Sequence, residues 1–176
     1  MNLWHDLSLG EKAPQEFNVI VECPKGSKNK YEIDKETGLI KLDRAMKTSQ
    51  DYPFDYGFAP RTLWADGDAL DVVILTTYPL YPGILLTVRP VGIMHMIDCG
   101  DSDDKVIAVP AKDPRWDDVR DLSDINKHTL KEMQHFFETY KTIENKDVTI
   151  DGFEGKDKAV EAVEKSIKTY DEKFKK

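Results

Sequence analysis

Three aspartates fall within six residues at Asp66-Gly67-Asp68-Ala69-Leu70-Asp71, directly before the apolar run Val72-Val73-Ile74-Leu75. Like charges at that spacing repel unless something cationic neutralises them. In an extended strand side chains alternate, so Asp66 and Asp68 share a face while Asp71 points away. Convergence demands a bend, which Gly67 can supply, and a bend at the mouth of a buried strand suits a hard divalent cation held through oxygen. The same residues also read as a solvated acidic hairpin turn, because Asp and Gly are ordinary turn formers. An EF-hand loop fails on register: counting from Asp66, the sixth position is Asp71 and not Gly, and the twelfth is Thr77 and not Glu. A phosphoaspartate nucleophile in D-x-D spacing follows an apolar strand, and Pro60-Arg61-Thr62-Leu63-Trp64-Ala65 is a poor one.

A second acidic group, Asp98, Asp101, Asp103 and Asp104, follows the strand ending at Ile97 and is closed by Lys105. Alone it reads as a surface loop. Its placement at a strand end matches the first cluster, so the two could share a multi-metal site if both loops lie on one rim. Lys30 and Glu32 lie on one strand face, and Arg44 shares a face with Ile40 and Leu42. A long cation on an apolar face either enters a cavity or snorkels to the surface. Tyr52-Pro53-Phe54-Asp55-Tyr56-Gly57-Phe58 reads as a loop or bent strand whose phenols either pack or hydrogen-bond an oxyanion. Tyr140-Lys141 closes a predicted helix, where a lysine complements the C-terminal dipole. His128 and His135 are two helical turns apart, too far to share a metal, and His5 and His95 stand alone. No P-loop, G-x-G-x-x-G or G-x-S-x-G occurs.

These residues need a scaffold, and the chain has enough material for one domain, 1–176, at 20.2 kDa. With 40% hydrophobic and 33% charged residues it is too apolar for disorder, and even Ile84 to Ile97 is broken by Arg89-Pro90, so no membrane span is expected. A net charge of −8 is the wrong sign for a polyanion binder, which makes nucleic acid an unexpected partner. Cys23 and Cys99 have no metal or redox spacing, and Met1 to Gly10 lacks a signal-peptide pattern, so the expected location is cytoplasmic.

Short β-branched runs predict strands at Val19–Glu22, Lys30–Ile33, Leu39–Arg44, Val72–Thr76, Ile84–Met96 (interrupted at Arg89-Pro90) and Val106–Val109. Their density predicts a mainly β (α+β) domain whose sheet is closed or nearly closed and antiparallel, a small barrel or sandwich. Two helices should cover it. One starts from a Ser123 cap with Ile125, Leu130, Met133, Phe137 and Tyr140 on its apolar face; the other starts from an Asp157 cap with Val160, Val163, Ile167, Tyr170 and Phe174. Lys173, Lys175 and Lys176 read as a solvated tail.

Taken together, the motifs closely resemble the soluble inorganic pyrophosphatases of the first family, prokaryotic type, whose signature Asp-small-Asp-Pro/Glu-apolar-Asp-apolar is similar to Asp66–Val72. The likeness runs from about Val19 to Lys141 and includes Lys30-Tyr31-Glu32-Ile33-Asp34, Asp43-Arg44, Tyr52-Pro53 to Gly57, Tyr78 to Gly83, Arg89 to Gly92, and Phe136-Phe137-Glu138 to Tyr140-Lys141. It implies a five-stranded closed OB-like β-barrel with two flanking α-helices and Mg²⁺-dependent hydrolysis of pyrophosphate. Of several Mg²⁺ ions, the first would be held by Asp66, Asp71 and Asp103, with Asp71 bridging to the second, Asp98 and Asp103 serving ions that arrive with substrate, and Glu22 and Glu32 supporting through waters. Asp68 would orient or deprotonate the attacking water. Lys30, Arg44, Tyr56, Lys105, Tyr140 and Lys141 would grip the phosphoryl groups, with Tyr52 around them.

The resemblance also implies a homo-oligomer, commonly a hexamer. Two positions depart from the pattern. Ala69 replaces Pro or Glu, which bears on loop rigidity, and Asp55 stands where Asn is frequent, placing an expected extra carboxylate near the phosphates. The competing readings are a single-strand nucleic-acid module using Tyr52, Phe54 and Tyr56 as stacking faces, and a metal-dependent phosphatase for an organic phosphate.

Overall fold

The computed structural model describes residues 1–175; Lys176, the last residue of the lysine-rich end, lies outside them. In chain order the elements are β1 (Phe17–Cys23), β2 (Asn29–Ile33), β3 (Ile40–Ala45), β4 (Asp55–Phe58), β5 (Asp71–Ile74), β6 (Leu85–Asp98), β7 (Asp101–Ser102), β8 (Lys105–Pro110), α1 (Lys127–Thr139), β9 (Val148–Gly155) and α2 (Lys156–Phe174). Hydrogen-bonded pairing runs β1–β4–β5–β8–β6 and returns from β6 to β1, so five strands form a ring. β7 and β9 add to β6, and β2–β3 form a separate ribbon.

The expectation of a wholly antiparallel sheet is corrected at one place: β5 and β8 run parallel, with Asp71 opposite Lys105. That pairing has a direct consequence for function. Because both strands start at the same end of the barrel, the loop before β5 and the loop before β8 must lie side by side.

The predicted interruption at Arg89-Pro90 is also corrected, since β6 is continuous over 14 residues. Its register with β8 shifts between Pro90 and Gly92, where a missing amide proton costs no ladder bond, and the Arg89 Nη2 donates to the carbonyls of Trp116 and Val119. On the neighbouring wall, β4 can approach β1 only because residue 57 is glycine; a Cβ there would sit 1.9 Å from the Ile20 carbonyl oxygen.

The strands of the ring are buried on both sides over most of their length, which is why their sequences read as apolar runs without clean alternation. Val73, Ile107 and Met94 pack in the cluster that includes Met133, Phe136 and Phe137 of α1, whereas Val72, Ile74 and Val106 pack with Ala159, Ala162 and Val163 of α2. α1 starts later than expected. Ser123 lies in a 3₁₀ turn, and the true cap is Asn126, whose side chain accepts the His128 N–H at 2.8 Å.

α2 starts at Lys156 after a Gly155 cap, with Asp157 inside the first turn, where its charge favours the helix dipole. Its buried stripe is Ala159, Ala162, Val163, Ser166 and Tyr170, so the expected face is rotated and Phe174 remains 41% exposed. The helix continues through Lys173, which is therefore not tail.

Candidate active site

The predicted site residues meet at one end of the barrel, around a cavity of about 230 Å³. Lining it are Asp66, Asp68 and Asp71 from the turn into β5, and Asp98, Asp103 and Lys105 from the β6–β8 connection. Glu22 of β1, Lys30 and Glu32 of β2, Tyr52 and Tyr56 around β4, and Tyr140 and Lys141 at the end of α1 line it too. The two acidic loops that sequence could only suspect of sharing a rim do share it, because of the parallel β5–β8 pair. Gly67 adopts φ +90°, the left-handed conformation that lets the Asp66–Asp71 turn close, and the Asp68 N–H donates back to the Asp66 carboxylate at 2.9 Å.

At the centre is Lys105, a lysine only 1% exposed. Its ammonium donates to Asp71 at 2.6 Å and also bonds Asp103. Tyr56 donates its phenolic proton to the same Asp71 oxygen at 2.5 Å. Burial works against the Lys105 charge, yet the two carboxylates outweigh it and hold the ammonium well above the usual lysine range. The opposite imbalance falls on the acids. Burial pushes the Asp103 carboxyl up to about 7 despite Lys105, with Asp71 and Asp66 adding repulsion. Glu22 is raised well above the carboxylate range by burial and by Asp71, and Asp66 is raised chiefly by burial.

A second layer of cations faces the first. Lys30 bonds Glu32 and Lys141 bonds Asp98. Burial opposes both ammonium charges, but Glu32 in one case, and Tyr140 and Asp98 in the other, raise them on balance. Glu22 accepts the Ile33 N–H at 2.7 Å, which fastens the β2–β3 ribbon to the barrel wall and so fixes where Lys30 stands.

Arg44 is the one assigned residue that does not line this cavity. Its Nη1 donates to Asp43 at 2.5 Å, and its Nε lies 3.6 Å from the Glu144 carboxylate. The face it shares with Ile40 and Leu42 is itself largely open, with Leu42 58% exposed.

Asp55 corrects an expectation outright. It is fully buried away from the cavity and accepts from the Lys25 and Leu80 N–H groups, each at 3.0 Å, and from the Thr76 hydroxyl. Its carboxylate is part of the fold, not of the phosphate environment. His95 is likewise not isolated: its ring nitrogens lie 2.9 Å from Asp104 and 2.7 Å from Glu154. Tyr52, Phe54 and Tyr56 are all at most 7% exposed and pack on Phe136 and Phe137, so they offer no open faces for stacked bases. Sequence reasoning missed Lys35, which lines the cavity from the β2–β3 turn and pairs with Asp68; within Asp34-Lys35-Glu36-Thr37-Gly38 nothing marks it off from an ordinary turn lysine.

No three Asp, Glu, His or Cys side chains among the described residues form a ready-made metal cage. The donor set nevertheless fits hard cations. One buried Asp98 oxygen, Oδ1, has no hydrogen-bond partner, Asp71 and Asp103 share a single lysine, and the side chains able to ligate a metal all offer oxygen. Lys105 now occupies the position between Asp71 and Asp103 that a cation would contest.

A barrel of OB-like form that gathers seven carboxylates, four lysines and three phenols in one end cavity defines a protein whose site must take up cations before it can hold a small polyanion. Comparison with known proteins makes this specific. The inorganic pyrophosphatase family profile matches residues 19–171. The chain is 50% identical to the soluble inorganic pyrophosphatase of Zea mays, covering 95% of this chain and 78% of that one, and 45% identical to the inorganic pyrophosphatase of Picrophilus torridus, covering 97% and 96%. The crystal structure of the inorganic pyrophosphatase from Thermus thermophilus superposes with a TM-score of 0.93 at 45% identity, covering 97% of this chain and 99% of that one. This chain belongs to the inorganic pyrophosphatase family.

Proposed function

We propose that this chain hydrolyses inorganic pyrophosphate to two orthophosphates at the end cavity, using Mg²⁺ ions held by Asp66, Asp71 and Asp103. Asp98 takes part with the substrate, and Glu22 and Glu32 support from the wall. The observation that carries this reading is the meeting of both acidic loops with three buried or half-buried lysines in a single cavity. When bound, Mg²⁺ supplies charge that offsets the phosphoryl oxygens and makes water a more acidic nucleophile.

The protein's own part is binding, orientation and proton handling. Lys30, Lys105, Lys141 and the Tyr56 and Tyr140 phenols offer donors to the oxygens of both phosphoryl groups, where charge accumulates as the bridging P–O bond breaks. Arg44 joins them by exchanging Glu144 for a phosphate oxygen. Asp68, which is half-exposed and outside the Lys105 pair, is the carboxylate placed to orient the attacking water and take its proton. Trp4, Ile33, Phe58 and Phe137 form the apolar part of the wall, which limits bulk water and strengthens each charge interaction inside.

We further infer a cytoplasmic homo-oligomer, a hexamer on the family likeness. No helix among the described residues is long and apolar enough to cross a membrane.

The test is orthophosphate release from pyrophosphate, ATP and p-nitrophenyl phosphate side by side. Rapid release from pyrophosphate alone, abolished by a chelator and restored by Mg²⁺, is the expected result. Comparable rates on the organic phosphates would overturn the substrate assignment, and turnover unaffected by chelation would overturn the metal requirement.

A further inference from the structure

Lys35 sits outside the family motifs matched above, yet it is built into the cavity. The turn that carries it is held on several sides. Asp34 accepts from the Thr37 N–H at 3.0 Å and from Lys41 Nζ at 2.8 Å, the Gly38 N–H donates to the Asp34 carbonyl at 2.7 Å, and the Gly38 carbonyl accepts the Leu3 N–H at 3.1 Å. From this fixed base the Lys35 side chain crosses the mouth of the cavity to the Asp68 carboxylate, joining the β2–β3 ribbon to the turn before β5. The other cavity lysines are committed to carboxylates that are 16–39% exposed, on side chains themselves 2–19% exposed. Lys35 and Asp68 are different, with side chains 59% and 52% exposed. A pair so open to water is weak, and a phosphate dianion offers the ammonium more charge and more acceptor oxygens than one carboxylate does.

We propose that Lys35 is a latch exchanged by substrate: its ammonium holds Asp68 until pyrophosphate enters, then moves to a phosphoryl oxygen and leaves the Asp68 carboxylate free to receive the proton of the attacking water. This rests on the reading of Asp68 given above. In the step itself, water oxygen bonds to one phosphorus as the bridging P–O bond breaks. The water proton passes to Asp68, and the bridging electron pair leaves with the second phosphate. Substrate binding and release of the proton acceptor are thereby one event, and Lys35 contributes to both.

Two exposed positions allow substitution without disturbing the core, so a complete cycle can be made in the full chain: Lys35→Met, Lys35→Arg, Asp68→Asn and the Lys35→Met/Asp68→Asn double variant. The readouts are KM and kcat for pyrophosphate, and calorimetric Kd for methylenediphosphonate, which cannot be hydrolysed, at one fixed Mg²⁺ concentration. Loss of one charge-assisted contact should raise KM and the methylenediphosphonate Kd roughly tenfold in Lys35→Met, with a smaller change in kcat, and Lys35→Arg should recover most of the binding. The distinguishing result is the effect of Asp68→Asn on methylenediphosphonate. Freed from its carboxylate, Lys35 should bind the analogue severalfold more tightly, and that gain should vanish when residue 35 is Met. A gain of equal size in both backgrounds, or unchanged binding in Lys35→Met, would overturn the latch. Undiminished pyrophosphate turnover in Asp68→Asn would overturn the role of Asp68 itself, a separate failure.

Discussion

The β4–β5 ribbon carries a buried or half-buried aspartate at each end, and the two have opposite fates. Asp55, opposite Ile74, is closed off: two backbone N–H groups and the Thr76 hydroxyl saturate it with neutral donors. Asp71, opposite Phe58, faces the cavity, where Tyr56 and Lys105 converge on a single oxygen and where Asp103, Asp66 and Glu22 crowd further carboxyl groups around one buried lysine. A carboxylate whose acceptor capacity is spent on fixed neutral donors ties strands and loops together. One that shares a lysine with another acid, among neighbours held above their usual pKa by burial, is poised to recruit a cation.

The largest effect should come from the open end. Asp71→Ala removes the carboxylate that organises Lys105 and Tyr56, so pyrophosphate turnover in Mg²⁺ should fall by about a thousandfold or more. Steady-state kinetics checks it, and a value near that of the unaltered protein would erase the distinction between the two ends. Asp55→Ala should reverse the pattern. It strands two amide donors and a hydroxyl that the carboxylate now covers, costing about 2 kcal/mol in denaturant unfolding, while the folded fraction keeps most of its turnover. Loss of turnover with stability intact would place Asp55 in the site after all.

The smallest effect concerns His95, which bridges Asp104 and Glu154 beside the open end. Burial lowers its affinity for a proton, but the hydrogen bonds and charges of the two carboxylates more than compensate and raise its pKa above 6.5. A raised folded pKa stabilises the protein fully below the unfolded value, and the contribution disappears as pH climbs through the folded value. His95→Gln should therefore destabilise at about pH 5.5 and be nearly neutral at about pH 9, a trend visible in unfolding curves across that range. A penalty that grows with pH would contradict the bridge.

Much of this was legible in the chain. The acidic loops stood out by their local spacing before an apolar run, whereas Lys30 with Glu32 and Tyr140-Lys141 gained a role only through the family resemblance. β4 and β9 were not. β4 is only four residues long inside an aromatic stretch, and β9, Val148–Gly155, is shaped by its pairing with β6, with a register shift between His95 and Met96. Nor could periodicity reveal that β5 and β8 run parallel, although that pairing is what brings the two acidic loops together. Asp55 and Arg44 mark the same boundary: which way a charged side chain turns depends on donors and acceptors tens of residues away, such as Leu80 for one and Glu144 for the other.

On the proposed function, cations that bind among Asp66, Asp71 and Asp103 must displace Lys105 from between two of them. Anomalous diffraction from crystals grown with Mn²⁺ in place of Mg²⁺ locates them. Metal peaks are expected inside the cavity, ligated by those carboxylates, with the Lys105 ammonium drawn away from at least one. A cavity without metal, Lys105 still bridging Asp71 and Asp103 while Mn²⁺ binds only on the outer surface, would contradict that function.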